Sequence, residues 1–485
     1  MDEHFDVIIV GTGFAGSFFL MRYLQHAPGT ARVLVLDRGR DDSKAWQIAN
    51  RKTSSINADE VFVNTTPGRK MWLTSPGFGG NSRCWWAGTM RMMPNDFRMR
   101  SQYGVGDDWP LTYDDLAPHY EIIEDVMQVA GPPDLPMRRS KPYPLPPHRF
   151  STPDELLKKA FPTTWFQTAT ARASAPTGTR GVCCATGICN LCPVDARFTV
   201  QNGLAYLYKD PRVTLRLESP VEHVDVAGGA VTGVTYLSAG RETSATADTV
   251  VLAASALFNP HIMLRSGMTH KMLGKRLHEQ YALTVYLDLG GVKAYNGSTV
   301  ITSNGYNFYD GEHRREYAGC MIEGWTTPFP YHPGALRSEQ GRWNERTVVR
   351  FLFDDLPQDI NTVTVNAVNP RLADATFHDY SQYAYRGAKR IPTMVDQLSS
   401  ALPIERIVRI EEASTSGHIQ GTVVMGQDPA NSVVDGFLVH HQHRNLLVLG
   451  ASAFPTSTPI LPTLTLSALS LRAADHYLAR GVRPE

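Results

Sequence analysis

Short apolar runs that stop at glycine set the rhythm of this chain. Val7-Ile-Ile-Val10 is followed at once by glycines 11, 13 and 16, then by Phe18-Phe-Leu-Met-Arg-Tyr-Leu24. A run of four such residues bounded by turn formers suits a buried strand, and the longer stretch suits a helix. A second strand, Arg32-Val-Leu-Val-Leu36, ends in Asp37, and the polar stretch from Arg38 to Glu60 reads as a surface excursion. A helix opens at Trp109–Leu116, with Leu116, Tyr120, Ile123 and Met127 on one face, and Gly131-Pro-Pro133 ends it. Prolines then crowd residues 132–150, the composition of a linker or an extended strap. Strands are predicted at Val213–Leu217, Val221–Val226 and Val231–Leu237, and a buried one, Thr249–Ser255, should return to the first sheet. Alternating segments at 283–289, 348–353 and 362–365 predict a second, mostly antiparallel sheet. Leu446–Leu449 is a late strand, and a helix over 466–478 closes the pattern. The fold class is therefore mixed α/β.

Strand, glycine turn and helix form the context in which G-x-G-x-x-G carries chemistry. The first glycine permits a tight turn, the second lets backbone approach a pyrophosphate, and the third lets helix and strand pack closely. The helix N-terminus then offers free N–H groups to phosphate. Asp37, about 20 residues on, suits a ribose hydroxyl. A second glycine pair, Gly79-Gly80, followed by Asn81 and Ser82, is another place where backbone N–H groups can meet phosphate. Trp85 and Trp86 follow it and are assigned to the core, where most aromatics pack.

Composition narrows the function classes. The 485 residues suggest two or three domains. Lys plus Arg and Asp plus Glu both number 47, so no global field recruits nucleic acid or an anionic membrane. No apolar run reaches the ~18 residues that a membrane span needs. The sequence starts Met-Asp-Glu-His and enters its first strand by residue 6, leaving no room for a cleavable signal, so the expected location is cytoplasmic. Of six cysteines, four lie between 183 and 192. Cys184-x4-Cys189-x2-Cys192-Pro is a ligand spacing of the kind found in iron–sulfur sites, with two local disulfides or a zinc knot as the alternatives.

Toward the C-terminus stand His418-x-x-Gly-Thr-x-x-Met-Gly, Ala451-Ser452-x-Phe-Pro-Thr and Pro462-Thr463-x-Thr. With the glycine triplet and Gly79-Gly80, in this order, they resemble the glucose–methanol–choline (GMC) oxidoreductases, FAD enzymes that oxidise alcohols. The closest branch looks like the bacterial FAD-dependent glucose, fructose and sorbitol dehydrogenases, which share Pro94-Asn-Asp-Phe, Asp108-Trp-Pro, Tyr113-Asp-Asp-Leu and a cysteine loop. The resemblance implies a discontinuous Rossmann-type FAD-binding domain from residues 1–45, 200–285 and 435–485. It implies a substrate domain and cap from 46–175 and 286–434, with the cysteine-rich loop at 176–199. Contacts to FAD are expected from Gly11, Gly13, Phe14, Ala15, Gly16, Asp37 and Arg38, and from Gly79, Gly80, Asn81 and Ser82. Val221, Ala254, Ser452, Ala453, Pro462 and Thr463 complete that set.

Alcohol oxidation by FAD needs a base for the hydroxyl proton and a flavin N5 placed to receive the hydride. His418 holds the position of the base, a role that a pKa near 6.5 suits. The family places a second His or Asn directly before the Pro-Thr pair, and here that residue is Leu461, which can neither donate nor accept a hydrogen bond. Either the enzyme is slower or oriented by another group, or its substrate has a more acidic C–H or O–H, or catalysis is lost. Ser255 replaces a usual glycine, which a backbone φ below zero would tolerate. Glu279-Gln280 replaces a common acid–His pair, and no role is carried onto them.

In the related dehydrogenases a comparable cysteine loop holds a [3Fe–4S] cluster that relays electrons from flavin to a haem partner. The resemblance assigns Cys184, Cys189 and Cys192 as ligands, with Cys183 as an alternative first ligand. It also implies a small export-bearing subunit, a cytochrome c acceptor and, through co-export, a periplasmic location. The leading expectation is a sugar or polyol dehydrogenase. Its alternatives are an O₂-using oxidase and a catalytically impaired FAD-binding or electron-transfer protein.

Overall fold

Sixteen strands, numbered in chain order, form three sheets in the computed structural model, which describes residues 3–137, 139–326 and 342–480. In the first sheet β1 (Glu3–Val10) lies between β2 (Val33–Leu36) and β8 (Arg241–Leu252), parallel to both, and β5 (Val213–Arg216) extends the parallel set past β2. The long β8 takes two neighbours in succession along its other edge. Its first half pairs antiparallel with β7 (Ala230–Ser238), which turns back to β6 (Val221–Ala227). Its last residues, Val250–Leu252, pair parallel with β16 (Leu446–Val448). The apolar runs read from the sequence are these parallel strands. Their side chains are buried on both faces, as Val7, Ile8, Ile9, Leu34, Val251 and Leu447 show.

The second sheet runs β15 (Ile404–Glu412), β9 (Tyr281–Leu289), β12 (Arg346–Phe353), β11 (Cys320–Trp325), β10 (Ile301–Phe308) and β4 (Trp165–Gln167), every neighbouring pair antiparallel. Strand alternation divides its labour. Val349, Phe351 and Phe353 of β12 face a core shared with the helices Gln382–Ala388 and Ile391–Ser399, while Arg350 and Leu352 point to the opposite side. The segment 362–365, expected in this sheet, instead forms β13 (Thr362–Val365) of a small third sheet with β14 (Ala373–Thr376) and β3 (Phe62–Asn64). Four alternating residues mark a strand but carry nothing that selects its partner.

Two predicted helices are present with shifted ends. Thr112 and Asp115 form a capping box for Tyr113–Val126, whose Leu116, Tyr120 and Ile123, with Met127 just beyond, are fully buried. The last helix runs Thr463–Arg480 and packs on Phe14–His26: Phe19 and Tyr23 meet the Tyr477 ring at 6.0 and 5.8 Å, and Arg22 pairs with Asp475 at 2.5 Å. The expectation for Ser255 is overturned. It opens the helix Ser255–Arg265 with φ +83°, a left-handed conformation that suits the glycine it replaces. Its hydroxyl accepts the Leu257 N–H at 3.3 Å, which partly offsets the strain.

Candidate active site

One cavity of about 660 Å³ runs from the C-terminal edge of the parallel strands to the underside of the second sheet. Its floor is made where those strands end: Val10–Ala15 after β1, Leu36–Arg38 at β2, Ala253–Ala256 after β8 and Leu449–Ala451 after β16. Open parallel sheets place ligands at this edge. Ile301, Glu323, Trp325, Arg350 and Leu352 form the roof, one or two residues from each of β10, β11 and β12.

At one end the glycine turn is fixed by close contacts. A Cβ on Gly11, at φ +105°, would stand 2.5 Å from the Ala253 carbonyl oxygen, and one on Gly16 would stand 2.2 Å from that of Gly11. Gly13 has nothing within 4 Å on its Cβ side, so bare backbone faces the cavity there. No side chain caps the helix that starts at Phe14. Gly11, Gly13, Phe14 and Ala15 line the cavity as expected, while Gly16 packs helix on strand behind it.

Asp37 also lines the cavity, but its carboxylate already braces the turn. Oδ2 accepts from the Thr12 N–H at 3.0 Å and from its hydroxyl at 2.6 Å, and Oδ1 accepts from Gly39 at 3.0 Å. The Gly79 N–H donates to Thr12 Oγ1 at 2.9 Å, so one relay ties the two glycine stretches together. Gly79 thus sits behind the wall, while Gly80, Asn81 and Ser82 are in it. Arg38 lines the cavity with its guanidinium 4.0 Å from the Phe258 ring centre, and burial pulls its pKa down to about 10. Val221 and Ala254 line it too.

The other end gathers His418, Leu461, Pro462 and Thr463. His418 Nδ1 lies 3.0 Å from Gln280 Oε1, and its backbone N–H donates to Glu279 at 2.8 Å. Glu279, fully buried, also accepts from the Thr415 and Ser416 hydroxyls at 2.8 Å each and pairs with the equally buried Lys70 at 2.5 Å. Burial lowers the His418 pKa to about 4; the Glu279 charge opposes this, and Arg350 and Lys70 add to it. The imidazole is therefore neutral at neutral pH and able to take a proton. Leu461, 8% exposed, fills the space a polar partner would need, with Cδ1 2.2 Å from where a Cβ on Gly88 would lie. Ser452 and Ala453 stand behind this wall. Ser452 Oγ accepts from Asn259 at 2.9 Å, and Asn259 in turn accepts from the Ala254 N–H at 2.7 Å.

Trp85 and Trp86, assigned to the core by sequence, both line the cavity. The roof residues were not found from sequence. Trp86 and Trp325 meet at 5.2 Å, Trp325 Nε1 donates to Glu323 at 3.1 Å, and Glu323 is the cross-strand neighbour of Arg350. Burial raises the Glu323 pKa, against the pull of Arg350. The available signal was a charged residue two places before a tryptophan inside the apolar strand Cys320–Trp325.

All six cysteines are free thiols, which removes the disulfide alternative. Cys183, Cys184, Cys189 and Cys192 line one pocket, of about 10 Å³, room for about one water. Cys183 Sγ lies 3.4 Å from Thr299 Oγ1, Cys192 Sγ accepts the Ala196 N–H at 3.3 Å, and Cys184 is exposed. Burial pushes the Cys189 thiol up to about 11. The expected ligand set is thus drawn around one point but not assembled: among the described residues no three His, Cys, Asp or Glu side chains form a group able to hold a metal ion. Three of the thiols meet polar groups of the protein, Cys183 at Thr299, Cys184 at Thr186 and Cys192 at Ala196.

The chain matches two family models, both described as GMC oxidoreductase, over residues 5–282 and 337–470. It is 24% identical to the fructose dehydrogenase large subunit of Gluconobacter japonicus, over 98% of this chain and 97% of that protein. It is 23% identical to the 2-methyl-1,2-propanediol dehydrogenase of Mycolicibacterium austroafricanum, over 98% and 95%. Among solved structures, pyridoxine 4-oxidase from Mesorbium loti superposes with a TM-score of 0.69 at 19% identity, covering 97% of this chain and 99% of that one.

Proposed function

The chain belongs to the GMC oxidoreductase family, and on that premise we propose that it oxidises an alcohol carbon of a sugar, glycoside or polyol, with His418 as the base. The protein is an FAD enzyme acting on CH–OH groups. The cavity residues fit that cofactor: bare backbone at Gly13, an uncapped helix N-terminus and the second glycine stretch meet at the pyrophosphate-binding end. When bound, FAD supplies the electron sink for the hydride that leaves carbon. The chain supplies the proton acceptor, the placement of the alcohol and the exclusion of water.

The observation that carries the reading is that His418 and a roof suited to a sugar line one cavity. Trp86 and Trp325 offer aromatic faces, and Glu323 and Arg350 offer a carboxyl and a guanidinium within the same wall as His418. Polyhydroxylated rings are held by this combination, apolar C–H faces on aromatic rings and hydroxyls on charged side chains. With Leu461 in place of a second polar group, the hydroxyl proton goes to His418 in this reading, and the roof takes over orientation. The names of the two dehydrogenase relatives, a sugar enzyme and a diol enzyme, support the substrate class. The reading predicts that the oxidised flavin band bleaches when some neutral sugar or polyol is added anaerobically, and that an artificial acceptor restores it. Failure of bleaching across a broad alcohol panel overturns it. Peroxide formed in air at the rate of turnover would assign an oxidase instead.

The proposal extends to the exit of electrons toward a protein acceptor through the cysteine loop. Cys189 packs in one apolar cluster with Ile301 and Trp325, against which Trp86 also packs, and these three line the main cavity. The loop is therefore one side-chain layer from the reaction site. A cluster there would be held by Cys184, Cys189 and Cys192, or with Cys183 first. Iron and acid-labile sulfide co-purifying with FAD are expected. Protein free of both, yet fully active with a protein acceptor, removes the relay and leaves alcohol oxidation standing.

A further inference from the structure

Gln280 carries no role in the sequence reading and does not line the cavity, yet its bonding is fully determined. Its side chain is completely buried. Nε2 lies 3.0 Å from the carbonyl oxygen of Thr458 and 2.8 Å from that of Ile460. Carbonyl oxygens only accept, so the nitrogen end of the amide must face them and the amide cannot be turned over. Oε1 is then fixed toward His418 Nδ1, at 3.0 Å. Ser416 Oγ also lies 3.1 Å from Oε1, but its single hydrogen is drawn to the closer Glu279 carboxylate at 2.8 Å. An amide oxygen has no proton to give, so Nδ1 must carry the hydrogen. A neutral imidazole has only one N–H, which leaves Nε2 bare.

We propose that Gln280 is a positioning residue that locks His418 in the Nδ1–H tautomer, presenting the Nε2 lone pair to the substrate hydroxyl. The same amide registers the His418 loop against the segment Thr458–Ile460, directly before Leu461. One side chain thus sets both the protonation and the place of the base where the family's second polar group is missing. In the step it serves, the substrate O–H bond breaks and an Nε2–H bond forms. The imidazolium keeps its Nδ1–H on Gln280 throughout, so the amide need not rearrange. The inference rests on His418 being the base, as proposed above.

The charged groups around the imidazole are Glu279 and Lys70 behind its loop, Arg350 from β12 and Glu323 of the neighbouring strand β11. Gln280 itself is neutral, so it fixes geometry without placing a charge beside His418.

The experiment compares FAD-loaded wild-type, Gln280→Glu and Gln280→Leu enzyme. Gln280→Glu, kept protonated by the Thr458 and Ile460 carbonyl oxygens, still turns an oxygen toward Nδ1 and is expected to leave the acid limb of kcat/KM near its wild-type position. Gln280→Leu is expected to lower kcat about tenfold or more with KM nearly unchanged, the effect of losing one such bond. A wild-type kcat in Gln280→Leu overturns the proposal. A second measurement does not depend on the variants folding: ¹⁵N spectra of imidazole-labelled wild-type enzyme, assigned by difference from His418→Gln. A protonated Nδ1 and bare Nε2 support the lock, and the reverse overturns it. If His418→Gln itself retains full activity, the assignment of the base has failed rather than the lock.

Discussion

His418→Ala is expected to lower kcat/KM about a thousandfold, within the usual range for removing a general base. FAD should remain bound, because the glycine turn and its Asp37 brace lie at the far end of the cavity. Single-turnover flavin reduction with the best substrate measures the loss, and FAD content measures retention. A variant that reduces flavin at the wild-type rate would show that the alcohol ionises without this imidazole. The pH profile carries a second check. Burial holds His418 down to about 4, and only the unprotonated ring accepts a proton. Activity should therefore hold level through neutral pH and fall only on the acid side, well below the ordinary histidine range. An acid limb near 6.5 would show that the half-buried ring keeps the ordinary basicity of histidine.

Lys70→Met is expected to cost about 3–5 kcal/mol of stability, the effect of leaving a buried charge without its partner. Lys70 and Glu279 are 1% and 0% exposed and 2.5 Å apart, and Lys70 also donates to the Tyr380 hydroxyl. Burial alone would raise the Glu279 pKa, but Lys70 and the donors at His418 and Thr415 hold it below the usual carboxylate range. A carboxyl with a depressed folded pKa contributes stability above its unfolded value, and this is lost as pH falls through the folded value. The wild type should therefore lose this contribution in acid, and Lys70→Met should have less to lose. Thermal unfolding at neutral and acid pH measures both effects. Because Glu279 holds the His418 backbone N–H, the variant should also reduce flavin more slowly. Unchanged melting at neutral pH would show that Glu279 is buried as the neutral acid.

How much of this was legible in the sequence follows from how local each feature is. Gly11, Gly13 and Gly16 act within one turn, so their spacing between a strand and a helix marked a segment that stands at the cavity. The parallel strands announced themselves because burial on both faces leaves unbroken apolar runs, as at Val7–Val10. His418 and Leu461 were placed by motif resemblance, and both stand in the cavity wall. The roof was hidden because β10, β11 and β12 each give it only one or two residues, and it forms only after long-range pairing. Gln280 was hidden for a stronger reason: two of its partners, at Thr458 and Ile460, are backbone carbonyls with no side-chain signature. The same blindness to partner choice sent Thr362–Val365 to the wrong sheet. Spacing at the cysteine loop identified which thiols meet, yet the packing of Thr299 and Ala196 against them was beyond it.

The double edge of β8 bears on how the polypeptide is made. Val250–Leu252 must wait for Leu446–Val448 before that side of the strand is covered, and the rings of Phe19 and Tyr23 must wait for Tyr477. Gly11 and Pro462, which border one cavity, leave the ribosome far apart in time. The nascent protein therefore carries an uncovered strand edge and an apolar helix face through most of its synthesis, the kind of surface that chaperones recognise. Flavin capture is then expected late, once the residues near 460 that complete the cavity have left the ribosomal tunnel. Truncation before Leu446 should yield aggregation-prone protein without FAD, however intact its glycine turn.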